Sequence, residues 1–283
     1  MTAHEMLAQV RQLPPISPAA LKLASLLGDP RINNEDMVTI VNEDPVLTAK
    51  LLRACNSPAT GLREAVASVN QAILLLGHDR ISQMVTALAF RGTFNTALPG
   101  YALAADDLWR HSLLTATAAQ ALARVGVEFG LDESVAYTVG LLHDIGKLIT
   151  NEFLTRQSAL AIRSRVAEGR SPFEAEREVL GTDHAEVGAS LLFMWRLPEL
   201  IVEAVALHHR PIPGRGSRLA EVVHSADLIA HRAAEIRSGR EISSRTELES
   251  LDRVGFGLEQ VLTVVTYVSE LAPAGEELIA MPA

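Results

Sequence analysis

Histidines and aspartates form a broken series through the second half of the chain: His111, the pair His143-Asp144, His184, the pair His208-His209, and Asp227. Imidazole nitrogens and carboxylate oxygens are the ligands that borderline first-row metals take. A polar metal centre gathered from several distant segments is therefore the chemistry these residue types could perform. The His143-Asp144 pair lies in Leu141-Leu142-His143-Asp144-Ile145-Gly146-Lys147-Leu148, where apolar neighbours draw polar groups into a core. Burying an imidazole, a carboxylate and an ammonium together costs roughly several kcal/mol unless they pair or coordinate an ion. On a helix, His143 and Lys147 share a face with Asp144 beside them. One turn would then offer two ligands and a cation for an anionic phosphoryl oxygen, with Asp144 and Lys147 as the expected catalytic residues.

The elements that must position these groups read as helices. Ser17-Pro18 offers an N-cap followed by proline at the first helical position. Leu21, Ala24 and Leu27 recur on one face until Gly28-Asp29-Pro30 closes that helix. Asn33 or Asn34 can cap a second helix and Asp44-Pro45 opens a third, while Ser68-Val-Asn-Gln71 and Ser171-Pro-Phe-Glu174 match the capping box. Beyond a break at Leu98-Pro99-Gly100, helices are expected from about Asp106 to Gly126, Asp132 to Leu148 and Arg156 to Glu168. Further ones open at Thr182-Asp183 and run from Pro198 to His208 and from about Ser217 to Arg237. Each presumed ligand thus has its own helix or helix end, as in a bundle whose interior hosts a metal. A polar stretch from Arg237 to Ser250 reads as a linker, and Leu258, Val261, Leu262, Val265 and Val268 mark one face of a last amphipathic helix.

Composition narrows the classes. A chain of 283 residues, 48% hydrophobic and 21% charged, can bury a sizeable core. A formal charge of −9 and few aromatic residues oppose DNA binding and base stacking. The three short helices near the start invite a helix-turn-helix reading, but the third is mostly apolar apart from Lys50 and Arg53, which favours packing. The single cysteine, Cys55, excludes an internal disulfide and reads as a small buried residue. The opening residues lack a basic segment followed by an apolar stretch, and no apolar run approaches the roughly 20 residues a bilayer requires. A cytoplasmic protein without a membrane partner is expected.

Several motifs occur in an order that resembles the HDOD signalling-module family. They are Leu13-Pro14-Pro15, the run from Glu43-Asp44-Pro45 to Cys55-Asn56-Ser57, and Val69-Asn-Gln-Ala-Ile-Leu-Leu-Leu-Gly77. Leu108-Trp-Arg-His111-Ser, the His143-Asp144 segment, Asp183-His184-Ala-Glu-Val-Gly188 and Trp195-Arg-Leu-Pro198 complete the set. The resemblance implies an all-α fold: an HD-like helical bundle preceded by a smaller N-terminal helical lobe. Residues 1–100 would form the lobe, 101–237 the metal-binding bundle, and 238–283 a linker and C-terminal amphipathic helix. It also implies a bacterial signal-transduction role.

The resemblance further implies that His111, His143, Asp144 and Asp227 match the ligands of an HD enzyme. His184, His208 and His209 stand where the related HD-GYP cyclic-dinucleotide phosphodiesterases place ligands for a second metal. Asp107 occupies the position of a further Glu ligand in some of those enzymes. The expected cofactor is a mono- or dinuclear divalent transition metal (Fe, Mn, Ni or Zn). In contrast, His208-His209 is followed by Arg210-Pro211-Ile212-Pro213-Gly214 rather than the glycine-tyrosine-proline loop that names the HD-GYP enzymes.

Two readings remain. One is a regulatory module that retains the metal site and acts through signalling-protein partners or a nucleotide ligand. The other is a metal-dependent phosphohydrolase or phosphodiesterase acting on a nucleotide or cyclic dinucleotide, with Asp144 bridging two ions and Lys147 steadying a phosphoryl oxygen. His224 and His231, three before and four after Asp227, share its face and could support it from outside the ligand set. His4 and His78 read as ordinary surface or core residues, Asp183 and Glu186 as helix-capping groups, and the last helix as a site for homodimer formation.

Overall fold

A computed structural model describes residues 1–10, 12–14, 16–26, 34–62, 64–126, 129–211, 217–237 and 256–280. The regular elements among these residues are helices, with a single isolated β-bridge between Leu98 and Leu103. The fold class is all-α, as expected. In chain order the helices are α1 (Ala3–Gln9), α2 (Pro18–Leu26), α3 (Asn34–Asn42), α4 (Pro45–Cys55), α5 (Val69–Leu76), α6 (His78–Phe94), α7 (Asp107–Val125) and α8 (Glu133–Leu142). They continue as α9 (Gly146–Phe153), α10 (Arg156–Ala167), α11 (Pro172–Leu180), α12 (His184–Met194), α13 (Glu199–Leu207), α14 (Arg218–Arg237) and α15 (Leu258–Ala280).

Local sequence accounts for most of the boundaries. Ser17 Oγ accepts the Ala20 amide, and Asp44 Oδ1 accepts the amides of Val46 and Leu47. Asp183 caps α12 by accepting the Glu186 amide. Ser68 caps α5 through the Gln71 amide, but Gln71 returns its side chain to the Ala67 amide, one residue earlier than a capping box requires. The alternative cap Asn33, the stop at Gly28-Asp29-Pro30 and the polar segment 238–250 lie outside the described residues. Helix α1 lies ahead of the first helix expected. Thr2 and Glu5 form its reciprocal capping box, a pattern that is legible in Thr2-Ala-His-Glu5.

Two hydrophobic cores meet along α6. Ile81, Met84, Val85 and Leu88 close the smaller one, formed with Met37, Val41, Leu47, Leu51 and Cys55. Ala87, Phe90 and Phe94 of the same helix join the larger one around Trp109, Leu122, Leu141, Leu142, Val205 and Ile229. At 17 residues, α6 is long enough to present both faces. At its end Arg91 pairs with Asp106 at 2.6 Å, and its guanidinium lies 5.3 Å from the Trp109 ring centre. Despite its place in the chain, α1 adds Ala3, Met6 and Leu7 to the larger core by packing on α12 and α9. In α15 the inward face is Val261, Val264, Val265 and Val268, whereas Leu262 is exposed. No helix of the described residues is long and apolar enough to cross a membrane.

The helix expected from Asp132 to Leu148 is broken in two. Between α8 and α9 the chain tightens into three-residue turns, with Ile145 N–H bonded to Leu142 O, Lys147 N–H to Asp144 O and Leu148 N–H to Ile145 O. Close packing demands this bend. A Cβ on Gly146 would collide with the His184 carbonyl and lie 2.5 Å from the Gly188 amide nitrogen. Two glycines thus let α9 and the start of α12 approach backbone to backbone.

Candidate metal centre

The interior of the larger bundle holds the predicted residues in one polar cluster. His111 projects from α7, His143 and Asp144 occupy the α8–α9 turn, His184 opens α12, His208 and His209 follow α13, and Asp227 lies midway along α14. His143, Asp144, His184 and His208 are buried to within 1% of full burial.

Asp144 stands between two groups of imidazoles. Its Oδ2 lies 3.3 Å from His143 Nε2 and 3.6 Å from His111 Nε2, while its Oδ1 lies 3.2 Å from His184 Nε2. Asp227 Oδ1 is 3.0 Å from His111 Nε2 and 3.7 Å from His143 Nε2. On the other side, His209 Nε2 is 2.8 Å from His184 Nε2. Donor atoms of Asp144, His184, His208 and His209 lie within 4.8 Å of one another, as do those of His111, His143 and Asp144, and those of His111, Asp227 and His231.

Whether these residues fit a metal is tested by their unmet valences. Asp144 Oδ1, Asp227 Oδ1 and His208 Nε2 are buried with no hydrogen-bond partner, although such groups are normally satisfied. Their ring tautomers also suit ligation. His143 Nδ1 donates to Gly140 O at 2.8 Å, His208 Nδ1 to Val205 O at 2.7 Å and His184 Nδ1 to Glu176 Oε2 at 2.7 Å. In the neutral form of each ring the proton is thereby placed on Nδ1, which leaves Nε2 facing the cluster. Nitrogen and oxygen donors of this kind suit Mn, Fe, Ni or Zn. The residues fit the group.

Electrostatics follow from packing so many ionisable groups together. Burial opposes ionisation of Asp144, but Lys147 and His143 outweigh it and hold the carboxyl well below its ordinary range. Burial likewise opposes ionisation of Asp227, and His111 overrides it to the same effect. Burial pushes the His208 pKa down to about 3, with His143 adding repulsion, and drives His209 well below its usual value. For His184 burial acts downward too, yet the Glu176 carboxylate, with its hydrogen bond to the ring, and the nearby Asp144 carboxylate raise the pKa to about 9.

Lys147 has a definite partner: its Nζ donates to Asp144 Oδ2 at 2.6 Å, and its side chain is only 19% exposed. Because the helix is broken at 143–145, Lys147 reaches Asp144 from the following helix rather than sharing a helical face with His143. Asp107 is not part of the cluster. Its Oδ2 accepts the Ala104 amide and its Oδ1 faces Arg110 at 3.5 Å, a helix-start role. Asp183 and Glu186 serve as capping and ion-pair groups, both meeting Arg177. His224 Nδ1 donates to His208 O at 2.8 Å, so it braces the backbone of a ligand candidate. Residues 212–216, which include most of the loop after His209, lie outside the described residues.

One contributor escaped the sequence reading. Glu176 of α11 is 1% exposed, and its Oε2 accepts both the backbone amide of His184, at 2.8 Å, and that residue's ring Nδ1. The signal was present: Phe173, Glu176 and Leu180 follow the i, i+3, i+7 stripe where an amphipathic helix turns apolar residues inward. From the same helix, Phe173 stacks on the His209 ring at 4.9 Å and 7°.

Comparison with known proteins gives the same architecture. A crystal structure of an HDOD domain protein of unknown function from Geobacter sulfurreducens is 26% identical, with a TM-score of 0.75 over 99% of this chain and 97% of that one. A structure from Shewanella amazonensis SB2B, provisionally named a phosphohydrolase, is 23% identical with a TM-score of 0.69, covering 94% and 93% of the two chains, and shows the fold alone. Among curated relatives, Ribonuclease Y from Lactobacillus gasseri is 32% identical over 47% of this chain. The chain spans only 19% of that relative's length, and 38% of that of an uncharacterised Treponema pallidum protein. The HDOD domain model matches residues 13–211; this chain belongs to the HDOD family.

Proposed function

We propose that this chain is a regulatory HDOD module that holds divalent transition-metal ions and acts through contacts with a signalling protein or a nucleotide ligand. His111, His143, Asp144 and Asp227 would hold one ion, and Asp144, His184, His208 and His209 a second. The observation that carries the reading is Asp144, whose two oxygens face different imidazole groups while Oδ1 lacks any hydrogen bond. A carboxylate so placed suits a bridging ligand. Without compensation, this much buried charge would be expensive to keep.

When bound, such ions supply Lewis acidity toward phosphoryl oxygens. The chain's own groups do the rest. The Gly140 and Val205 carbonyls and the Glu176 carboxylate orient three rings, and the Phe173 ring fixes a fourth. Lys147 favours the regulatory reading because its ammonium is already committed to Asp144 at 2.6 Å instead of projecting toward a substrate.

The phosphohydrolase reading is the alternative. It draws support from the complete ligand set and from the name of the Ribonuclease Y relatives. Metal analysis of protein purified without chelator, followed by a screen of nucleotides, cyclic dinucleotides and short RNA, separates the two. Metal-loaded protein inert toward all of them supports the regulatory module. Metal-dependent turnover that vanishes in Asp144→Ala overturns it in favour of the hydrolase, and protein that takes up no metal overturns both.

A further inference from the structure

We infer that His231 is an additional, exchangeable ligand at the His111–Asp227 end of the centre, one that an incoming phosphate-type oxygen displaces. The inference rests on the metal centre proposed above and adds a residue outside the seven-residue ligand set. Three ring nitrogens surround Asp227 Oδ1: His111 Nε2 at 3.0 Å, His231 Nε2 at 3.4 Å and His143 Nε2 at 3.7 Å. None of them makes a hydrogen bond to that buried oxygen. Ligand atoms about 2.1 Å from one cation sit about 3.0–4.2 Å apart, and all three separations fall in that range. Crowding without hydrogen bonding is what side chains arranged around an ion, rather than around each other, would show.

His231 differs from His143, His184 and His208 in how it is held. It lies one turn beyond Asp227 on α14, so its position follows from the helix. Its side chain is 65% exposed, and it leans, tilted, against the His111 ring, with ring centres 4.6 Å apart. His143, His184 and His208 are each fixed through Nδ1 by a carbonyl or carboxylate. No such bond fixes His231 among the described residues. An unbraced, solvent-facing imidazole keeps its rotameric freedom and can leave, whereas the braced, buried ones cannot. An anion that replaces this neutral ligand beside bound cations gains charge complementarity. His231 would therefore cap the centre at rest and yield to a phosphate group when one arrives.

The test uses the full chain loaded with Co²⁺, whose visible absorption reports its ligands, and inorganic phosphate as the probe. His231→Ala is expected to bind as much cobalt as the wild type, because the braced ligands remain, but with altered absorption bands. Phosphate should change the wild-type bands in the same direction as the substitution does. It should also bind about tenfold more tightly to the variant, which has no ligand to displace. Cobalt-loaded variant and wild type with identical spectra and equal phosphate affinity would overturn the inference and leave the metal centre standing, with His231 only a surface histidine beside Asp227. A wild type that takes up no cobalt would remove the metal centre and this inference with it.

Discussion

Glu176→Gln isolates the role of a buried carboxylate that supports the cluster from outside. In the structure a single oxygen, Oε2, accepts both bonds from His184, at 2.8 Å from the amide and 2.7 Å from ring Nδ1. A glutamine can place its one carbonyl oxygen at that point and keep both contacts, so the substitution removes the charge and spares the geometry. Loss of a carboxylate behind a ligating histidine weakens metal binding about 10–100-fold, or about 1.4–2.7 kcal/mol. The conserved geometry places the expected loss nearer tenfold. It should fall on the ion proposed at His184, His208 and His209, while the one proposed at His111, His143 and Asp227 serves as an internal control. Glu176→Ala adds the cost of two unsatisfied buried donors, about 1–3 kcal/mol each, and should lower thermal stability as well. Competition titration against a chromophoric chelator, with metal stoichiometry measured in parallel, reads both sites. Two unchanged affinities in Glu176→Gln would refute the reasoning, and so would equal weakening of both.

Further expectations concern protons, packing and the thiol. Because the His184 pKa is raised to about 9, its proton stabilises the metal-free fold fully below the unfolded value of about 6.5, and that stabilisation is lost as pH rises through about 9. Metal at this end must displace that proton, so its affinity should rise about tenfold per pH unit up to about 9; calorimetry in buffers of different ionisation enthalpy should find a proton released, and finding none would contradict the assignment. Gly146→Ala places a Cβ against the His184 carbonyl and 2.5 Å from the Gly188 amide nitrogen, which should cost more than about 4 kcal/mol; a melting temperature near wild type would count against the close crossing. Cys55 is fully buried, and burial outweighs the nearby Arg80 charge to raise its pKa to about 11, so native protein should resist a thiol reagent that labels it stoichiometrically after denaturation.

By itself the sequence determined which histidines and aspartates are candidate ligands, their placement on separate helices or helix ends, and most helix starts. These are local matters: an Asp44-Pro45 or Asp183-His184 step specifies a cap through bonds spanning two or three residues. The reciprocal Thr2-Glu5 box marks the start of α1 in the same local way. Tertiary structure decided the rest. The split at His143–Ile145 arises because Gly146 must meet Gly188 across another helix, which no propensity in 132–148 encodes. Glu176 differs from its exposed neighbours Glu174 and Glu178 only in which side of α11 faces His184. Likewise, Lys147 turned to Asp144, and Asp107 turned away to cap its own helix, because the first came within reach of a buried carboxylate and the second of a free backbone amide. Residue types announce which bonds can form; distances between segments more than 30 residues apart, such as His111 and His143, decide which ones do.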